Sequence, residues 1–251
     1  MHIGILECGP VLPDLAARHG TYGDIFARLL DAPGRRFTGW AVHEMAFPEG
    51  PDAADGWLLS GSRYGAYDPM PFIQPLEDFI RAARDARIPM VGICFGHQIM
   101  AQALGGRVEK SAKGWGFGRQ TYAIDGLGEV ALSAIHQDQV TRAPDGAELI
   151  GRNDFCPIAA LRYGDWGLSV QPHPEFDPAL MGEFLDLRDR DGEFDEDLIA
   201  QARSVLDKPH DCTPVAAWLG DFLEEAALGQ RTRPEGPGDH VAASTPARRR
   251  A

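Results

Sequence analysis

The sequence predicts an α/β fold: a three-layer sandwich with a mostly parallel central sheet, helices on both faces and added antiparallel strands. Over residues 2–106, short apolar runs alternate with amphipathic helical stretches, the order that a parallel sheet with crossover helices requires. Within them, residues 88–106, IPMVGICFGHQIMAQALGG, pass from a strand-like run through a tight corner into a helical period that ends on two glycines. After Gly106 the pattern changes to short segments cut by glycine, proline and acidic turns, which suit hairpins and edge strands added to the core.

The elements follow in order. HIGILEC, stopped by Gly9 and Pro10, reads as a buried first strand. GPVLPDLAARHGTYGD is expected to be an irregular lead into a helix over 24–30, whose apolar face is Ile25, Phe26, Leu29 and Leu30. RFTGWAVHEM, after the turn at Pro33 and Gly34, is a second strand, and DGWLLSGS a third that ends in small residues. The next helix gathers Phe72, Ile73, Leu76, Phe79 and Ile80 on one side and precedes the strand of the corner. RVEKS, GWGFGRQTYAI, EVALSAIHQDQV, AELIGRN, PIAALRYG and WGLSVQPHPE are the short strands. From Pro178 the chain is helical with a turn near Gly192, and PVAAWLGDFLEEAALG forms the last helix behind Asp211 and Thr213 as caps. Residues 1–228 are expected to form one domain. Residues 229–251 mix proline, glycine, alanine and charge without apolar periodicity and are expected to be a disordered tail.

Composition narrows the function. A chain of 251 residues that is 44% hydrophobic can bury a sizeable core. Its formal net charge of -13, from 24 Lys+Arg against 37 Asp+Glu, argues against a general grip on nucleic acid. No basic leader opens the sequence and no apolar run reaches membrane-spanning length, so no membrane partner is expected. Cys8, Cys94, Cys156 and Cys212 form no CxxC pair, which fits reduced thiols in the cytoplasm better than a disulfide frame or a zinc site.

One cysteine has a reactive setting. At a strand-to-helix corner, Cys94 aims its sulfur out of the sheet edge, toward the unpaired N–H groups and positive dipole end of the helix, which stabilise a thiolate. A nucleophile of this kind needs a base and a group to orient the base. QPHPEFDP supplies both: prolines keep the backbone extended or turning, so that His173 and Glu175 share one side. A polar surface loop is the alternative reading.

GICFGHQ followed by ALGG, and later QPHPE, resemble the nucleophile elbow and the His-Pro-Glu element of class I glutamine amidotransferases, in particular stand-alone GMP-synthase-like and gamma-glutamyl-peptidase-like members. The resemblance spans roughly residues 1–225. It implies a flavodoxin-like fold and a triad of Cys94, His173 and Glu175. Gly61 and Ser62 lie where these proteins place half of the oxyanion hole, with the Ser62 N–H as donor and the Phe95 N–H as its partner. Many relatives have a second glycine and then proline at Ser62 and Arg63, so this loop departs from the commonest pattern. Gln98 matches the family's CxGxQ position, where its amide holds the amino-acid end of the substrate; a helix-surface glutamine is the alternative. IHQDQV partly matches a loop that usually carries a serine, a histidine and an aspartate, so His136, Gln137 and Asp138 either line the same end of the substrate or form a solvated turn. Gly96 allows close backbone approach near the thiol, and His97 reads as a packing residue.

The implied reaction is hydrolysis of a gamma-glutamyl amide through a glutamyl thioester. The substrate is a small molecule, glutamine or a gamma-glutamyl amine or peptide. No GxxxxGK[ST] loop is present, and neither a cofactor nor a metal is expected. Three readings remain: a stand-alone hydrolase; a glutaminase subunit that delivers ammonia to a separate synthetase; and a non-enzymatic regulatory or binding protein on this scaffold. The first is favoured because no synthetase segment follows the last helix, and the third is disfavoured by the three triad residues. Substrate choice is expected in loops 63–71 and 113–119.

Overall fold

The alternation expected of the first half is present in a computed structural model that describes residues 1–231. β1 (His2–Leu6) leads through α1 (Pro13–His19) and α2 (Tyr22–Leu29) to β2 (Arg36–Trp40), β3 (Gly56–Leu59), α3 (Ile73–Asp85), β4 (Met90–Ile93) and α4 (Phe95–Ala103). The strand-rich part holds β5 (Arg107–Lys110), β6 (Gly116–Ile124), β7 (Gly128–His136), β8 (Asp138–Arg142), β9 (Glu148–Arg152), β10 (Ala160–Tyr163) and β11 (Gly167–Val170). Helices α5 (Pro178–Asp191), α6 (Glu196–Arg203) and α7 (Cys212–Arg231) follow.

Nine strands form one sheet in the order β2-β1-β3-β4-β11-β10-β9-β6-β7. Its first five strands run parallel and carry the helices, and the last four are added antiparallel. Alternation along the strands assigns the layers. Ile3, Ile5, Leu58, Val91 and Val170 pack on one face against Phe26 of α2 and Val215, Leu219 and Leu223 of α7. Leu6, Trp57, Leu59 and Met90 pack on the other, against α3 and α4 through Leu76, Ile80, Phe95 and Ile99. Each such side chain, fully buried, contributes about 1.5–3 kcal/mol.

Several expectations need correction. The lead after β1 is not irregular: Pro13 starts α1 at a position where its missing N–H costs nothing, and Leu15 anchors the helix among Phe176, Leu180 and Phe184. Seven residues are too few to display an amphipathic repeat. The strand before the histidine loop is not at an edge either, because β11 pairs in parallel with β4, Val170 opposite Ile93, at the heart of the sheet. IHQDQV divides at Gln137, so that β7 stays in the main sheet while β8 joins β5 in a separate two-stranded ladder. The last helix continues through Arg231, beyond the expected boundary at 228, and the rest of the expected tail, 232–251, lies outside the described residues. Among the described residues no helix is long and apolar enough to cross a membrane.

Parallel pairing has one consequence for chemistry: the carboxyl ends of β1, β3, β4 and β11 open on the same edge. That edge carries Cys8, Ser60 to Ser62, Cys94 and the loop from Gln171 to Phe176.

Candidate active site

Cys94 is the single residue between β4 and α4, and its N–H closes the sheet by donating to Val170 O at 2.9 Å. To turn within one residue it takes φ 54° and ψ -103°, a left-handed conformation that costs a non-glycine residue about 1–3 kcal/mol. Gly96 makes the corner possible, because a Cβ there would run into the backbone and side chain of Leu59. Its close approach is to the end of β3.

Two peptide planes at this corner are pinned by their carbonyls. Ser60 Oγ accepts from the Cys8 N–H at 2.9 Å and donates to Gly61 O at 2.9 Å, and in a planar trans peptide this turns the Ser62 N–H the opposite way. Cys94 O accepts the Gln98 N–H at 3.1 Å, which likewise turns the Phe95 N–H back toward the start of α4. Among the described residues neither of these two amides donates a hydrogen bond.

His173 and Glu175 sit on the loop that leaves β11. The His173 N–H donates to Ser133 O at 2.9 Å, and Ser133 Oγ donates to Phe176 O at 2.8 Å, so one buried residue of β7 clamps both ends of the loop. His173 Nδ1 lies 2.7 Å from Glu175 Oε1, with the two residues only 4% and 5% exposed. Nε2 is buried, and the approach of His173 to the Cys94 thiol is among the contacts that raise its pKa. Burial lowers the proton affinity of His173, but the Glu175 carboxylate and the charge of Cys94 outweigh it and hold the imidazole pKa well above its ordinary value. Gly61 completes the cluster: a Cβ there would stand 3.1 Å from His173 Cε1 and 3.9 Å from Cys94 Cβ, so a side chain would fill the space beside sulfur and imidazole.

The residues expected at the amino-acid end of a substrate are placed differently from one another. Gln98 is 3% exposed, and its Nε2 is committed to Asp138 O at 2.9 Å and Gln171 Oε1 at 3.3 Å, which leaves its Oε1. His136 Nδ1 donates to Asp138 O at 3.2 Å, its Nε2 is buried without a partner among the described residues, and burial followed by the charge of His173 pulls its pKa down to about 3. Gln137 is half-buried, and its carbonyl accepts from the Ser111 N–H. Asp138 Oδ1 accepts the Tyr67 hydroxyl at 2.8 Å, tying loop 63–71 to the start of β8.

The structure also brings in residues that the sequence reasoning missed. Gln171 touches the Cys94 sulfur, and its place two and four residues before His173 and Glu175 on an extended segment is a signal that alternation offered. Ser60 links its neighbour Gly61 to the distant Cys8, and Ser133 holds the distant Phe176, pairings that no local pattern reveals. Burial disfavours ionisation of the remaining thiols: it pushes Cys8 up, and raises Cys156 and Cys212 to about 12. His97 is wholly buried between Ser169 Oγ at 2.7 Å and Ile158 O at 3.1 Å, and burial pulls it down to about 4.

A sulfur, an ion-paired imidazole and two unspent amides at one corner are parts that acyl transfer through a thioester uses. Residues 31–186 match the family described as glutamine amidotransferase class-I. Gamma-glutamyl peptidase 4 of Arabidopsis thaliana is 27% identical over 205 residues, 76% of this chain and 82% of that one. A glutamine-hydrolyzing GMP synthase subunit of Methanopyrus kandleri is 31% identical over 157 residues, 54% of this chain and 77% of that one. A crystal structure of a glutamine amido transferase from Methylobacillus flagellatus superposes with a TM-score of 0.69 over 96% of this chain and 98% of that one; at 19% identity it speaks for the fold.

Proposed function

Because the chain belongs to the class I glutamine amidotransferase family, we propose that it hydrolyses a gamma-glutamyl amide bond with Cys94 as nucleophile, His173 as acid and base, and Glu175 as the group that orients His173. The observation that carries this reading is the buried His173–Glu175 pair, 2.7 Å apart, beside a cysteine on a strained strand-to-helix corner. The Cys94 sulfur attacks the side-chain carbonyl carbon, and the amides of Ser62 and Phe95 receive the developing oxyanion. The C–N bond then breaks as His173 gives its proton to the leaving nitrogen. His173 next takes a proton from water, whose oxygen attacks the thioester carbonyl; glutamate leaves and the sulfur is regenerated. Glu175 fixes the imidazole tautomer and offsets its positive charge. Gln98 Oε1, the lone pair of His136 Nε2, Gln137 and Asp138 are the contacts proposed for the amino-acid end. The four free cysteines fit a reducing compartment such as the cytoplasm.

The test is a substrate panel of glutamine, gamma-glutamyl amines and gamma-glutamyl peptides, run on the native chain and on Cys94→Ser. Turnover is expected to fall by about a thousandfold or more in the variant while its unfolding midpoint is kept. Unchanged turnover would assign the chemistry to another residue. Similarity to one component of a GMP synthase supports a second reading, in which the ammonia is delivered to a separate synthetase. Steady turnover of gamma-glutamyl peptides by the isolated chain favours the first reading; glutamine turnover that rises greatly with an added synthetase favours the second.

A further inference from the structure

The Cys94 sulfur receives a hydrogen bond from a side chain to which the mechanism above gives no part. Gln171 Nε2 lies 3.6 Å from Cys94 Sγ, and Gln171 is wholly buried. Which end of the amide faces the sulfur is decided by its neighbours. The Asp138 carbonyl can only accept, so Gln98, whose amide lies 2.9 Å away, must turn its NH2 group there. The same nitrogen has a second hydrogen, and it reaches Gln171 Oε1 at 3.3 Å. With its oxygen so engaged, Gln171 has only its NH2 group left for the sulfur. A relay of fixed polarity therefore runs from a main-chain carbonyl at the start of β8, through α4, to the end of β11 and across to the corner after β4. A flipped Gln171 amide would set a carbonyl oxygen against a thiolate, and the tether to Gln98 prevents that flip.

We propose that Gln171 is a further catalytic residue, whose amide donates to the Cys94 sulfur and stabilises its negative charge, and that Gln98 is a positioning residue that locks the amide in the donating orientation. The proposal deepens the function given above and rests on Cys94 being the nucleophile. It also supplies what His173 cannot. The imidazolium balances the sulfur only while it holds its proton, whereas a neutral amide donor serves both when the sulfur attacks and when it departs as the thioester collapses.

The experiment is alkylation of the intact protein by iodoacetamide across a range of pH, with modification at Cys94 quantified by peptide mass mapping. Gln171→Met keeps the volume and removes the donor. Its Cys94 is expected to react about tenfold more slowly at neutral pH, the worth of one hydrogen bond to a charged acceptor, and at the native rate at alkaline pH, where thiols ionise unaided. The kcat/KM for a gamma-glutamyl substrate should fall by a similar factor. A residue that merely fills space would change reactivity equally at every pH or not at all, and either result overturns the proposal. Gln98→Leu leaves the Gln171 amide in place but free to turn, and its neutral-pH alkylation is expected to slow about threefold. This second variant also decides the matter if Gln171→Met does not fold, an unchanged rate then being the overturning result. Alkylation reads the sulfur directly, so turnover that survives Cys94→Ser would remove the proposed function and still leave the Gln171 bond measurable.

Discussion

His173 keeps its proton against the cost of burial chiefly because the Glu175 carboxylate faces it, and its approach to Cys94 adds to the effect. Glu175→Gln retains an atom that can accept from Nδ1 but removes the charge. The His173 pKa is expected to move down toward its ordinary value in that variant, and kcat to fall by about tenfold or more as the imidazole loses the charge that holds its proton. Stability changes with a definite sign. A folded pKa raised above the unfolded value near 6.5 stabilises the native state below pH 6.5, and this is lost as pH rises through the folded value. Glu175→Gln should therefore be destabilised most at acidic and neutral pH and least at alkaline pH. An NMR titration of the His173 ring in both proteins checks the direction, and a His173 pKa unmoved by the substitution would deny Glu175 this part.

At the level of elements, the loop from Gln171 to Phe176 has no regular structure of its own, and its neighbours hold it. Ser133 clamps it from β7, and Asp177 caps α5 where the loop ends, accepting the Leu180 N–H at 2.8 Å. Ser133→Ala removes a buried O–H and leaves the Phe176 carbonyl only the long contact from the Cys212 thiol at 3.9 Å, which should cost about 1–3 kcal/mol of stability. Because His173 is hung from the same residue through its N–H, kcat is expected to fall several-fold with a smaller change in KM. Denaturant unfolding and steady-state kinetics together read both, and an unaltered kcat would show that the backbone bridge alone suffices. The same loop shows where the sequence was legible. The corner at Cys94 and the pairing of His173 with Glu175 could be read because the apolar run, the helical period and the prolines are local signals. The place of β11 could not, since four residues do not encode which strand they join or in which direction. Ser133 was silent for a related reason: its partner Phe176 is 43 positions away. Gln171 was within reach, two residues before His173 in a run where alternation already set His173 beside Glu175.

The whole molecule carries the cost of keeping two imidazoles neutral in its interior. Burial pulls His97 to about 4 and His136, with the charge of His173 adding to the effect, to about 3. An unfolded histidine titrates near 6.5, so between that value and the depressed ones the unfolded chain binds protons that the fold refuses. Stability then falls as pH falls. From pH 7 to pH 5 each residue contributes a loss on the order of 2 kcal/mol. His173 works in the opposite sense, but its stabilisation is complete below pH 6.5, so its further gain between pH 7 and pH 5 is on the order of 1 kcal/mol, and His2, whose pKa burial also lowers, offsets part of it. The formal net charge of -13 also works the other way, because protonation relieves self-repulsion, and physiological salt screens most of that effect. Asp78, Asp191 and Glu224, whose carboxyl pKa values are lowered by Arg81, by the Glu193 N–H with Arg188, and by Arg35 respectively, titrate below this window. Urea unfolding of the native chain in 0.15 M salt should therefore show it weaker by about 3–4 kcal/mol at pH 5 than at pH 7. In His97→Gln, whose amide can still meet both Ser169 and Ile158, the difference should shrink by about half. An equal pH 5 loss in native and variant would mean that the fold does not exclude a proton at His97, and that its acid sensitivity has another source.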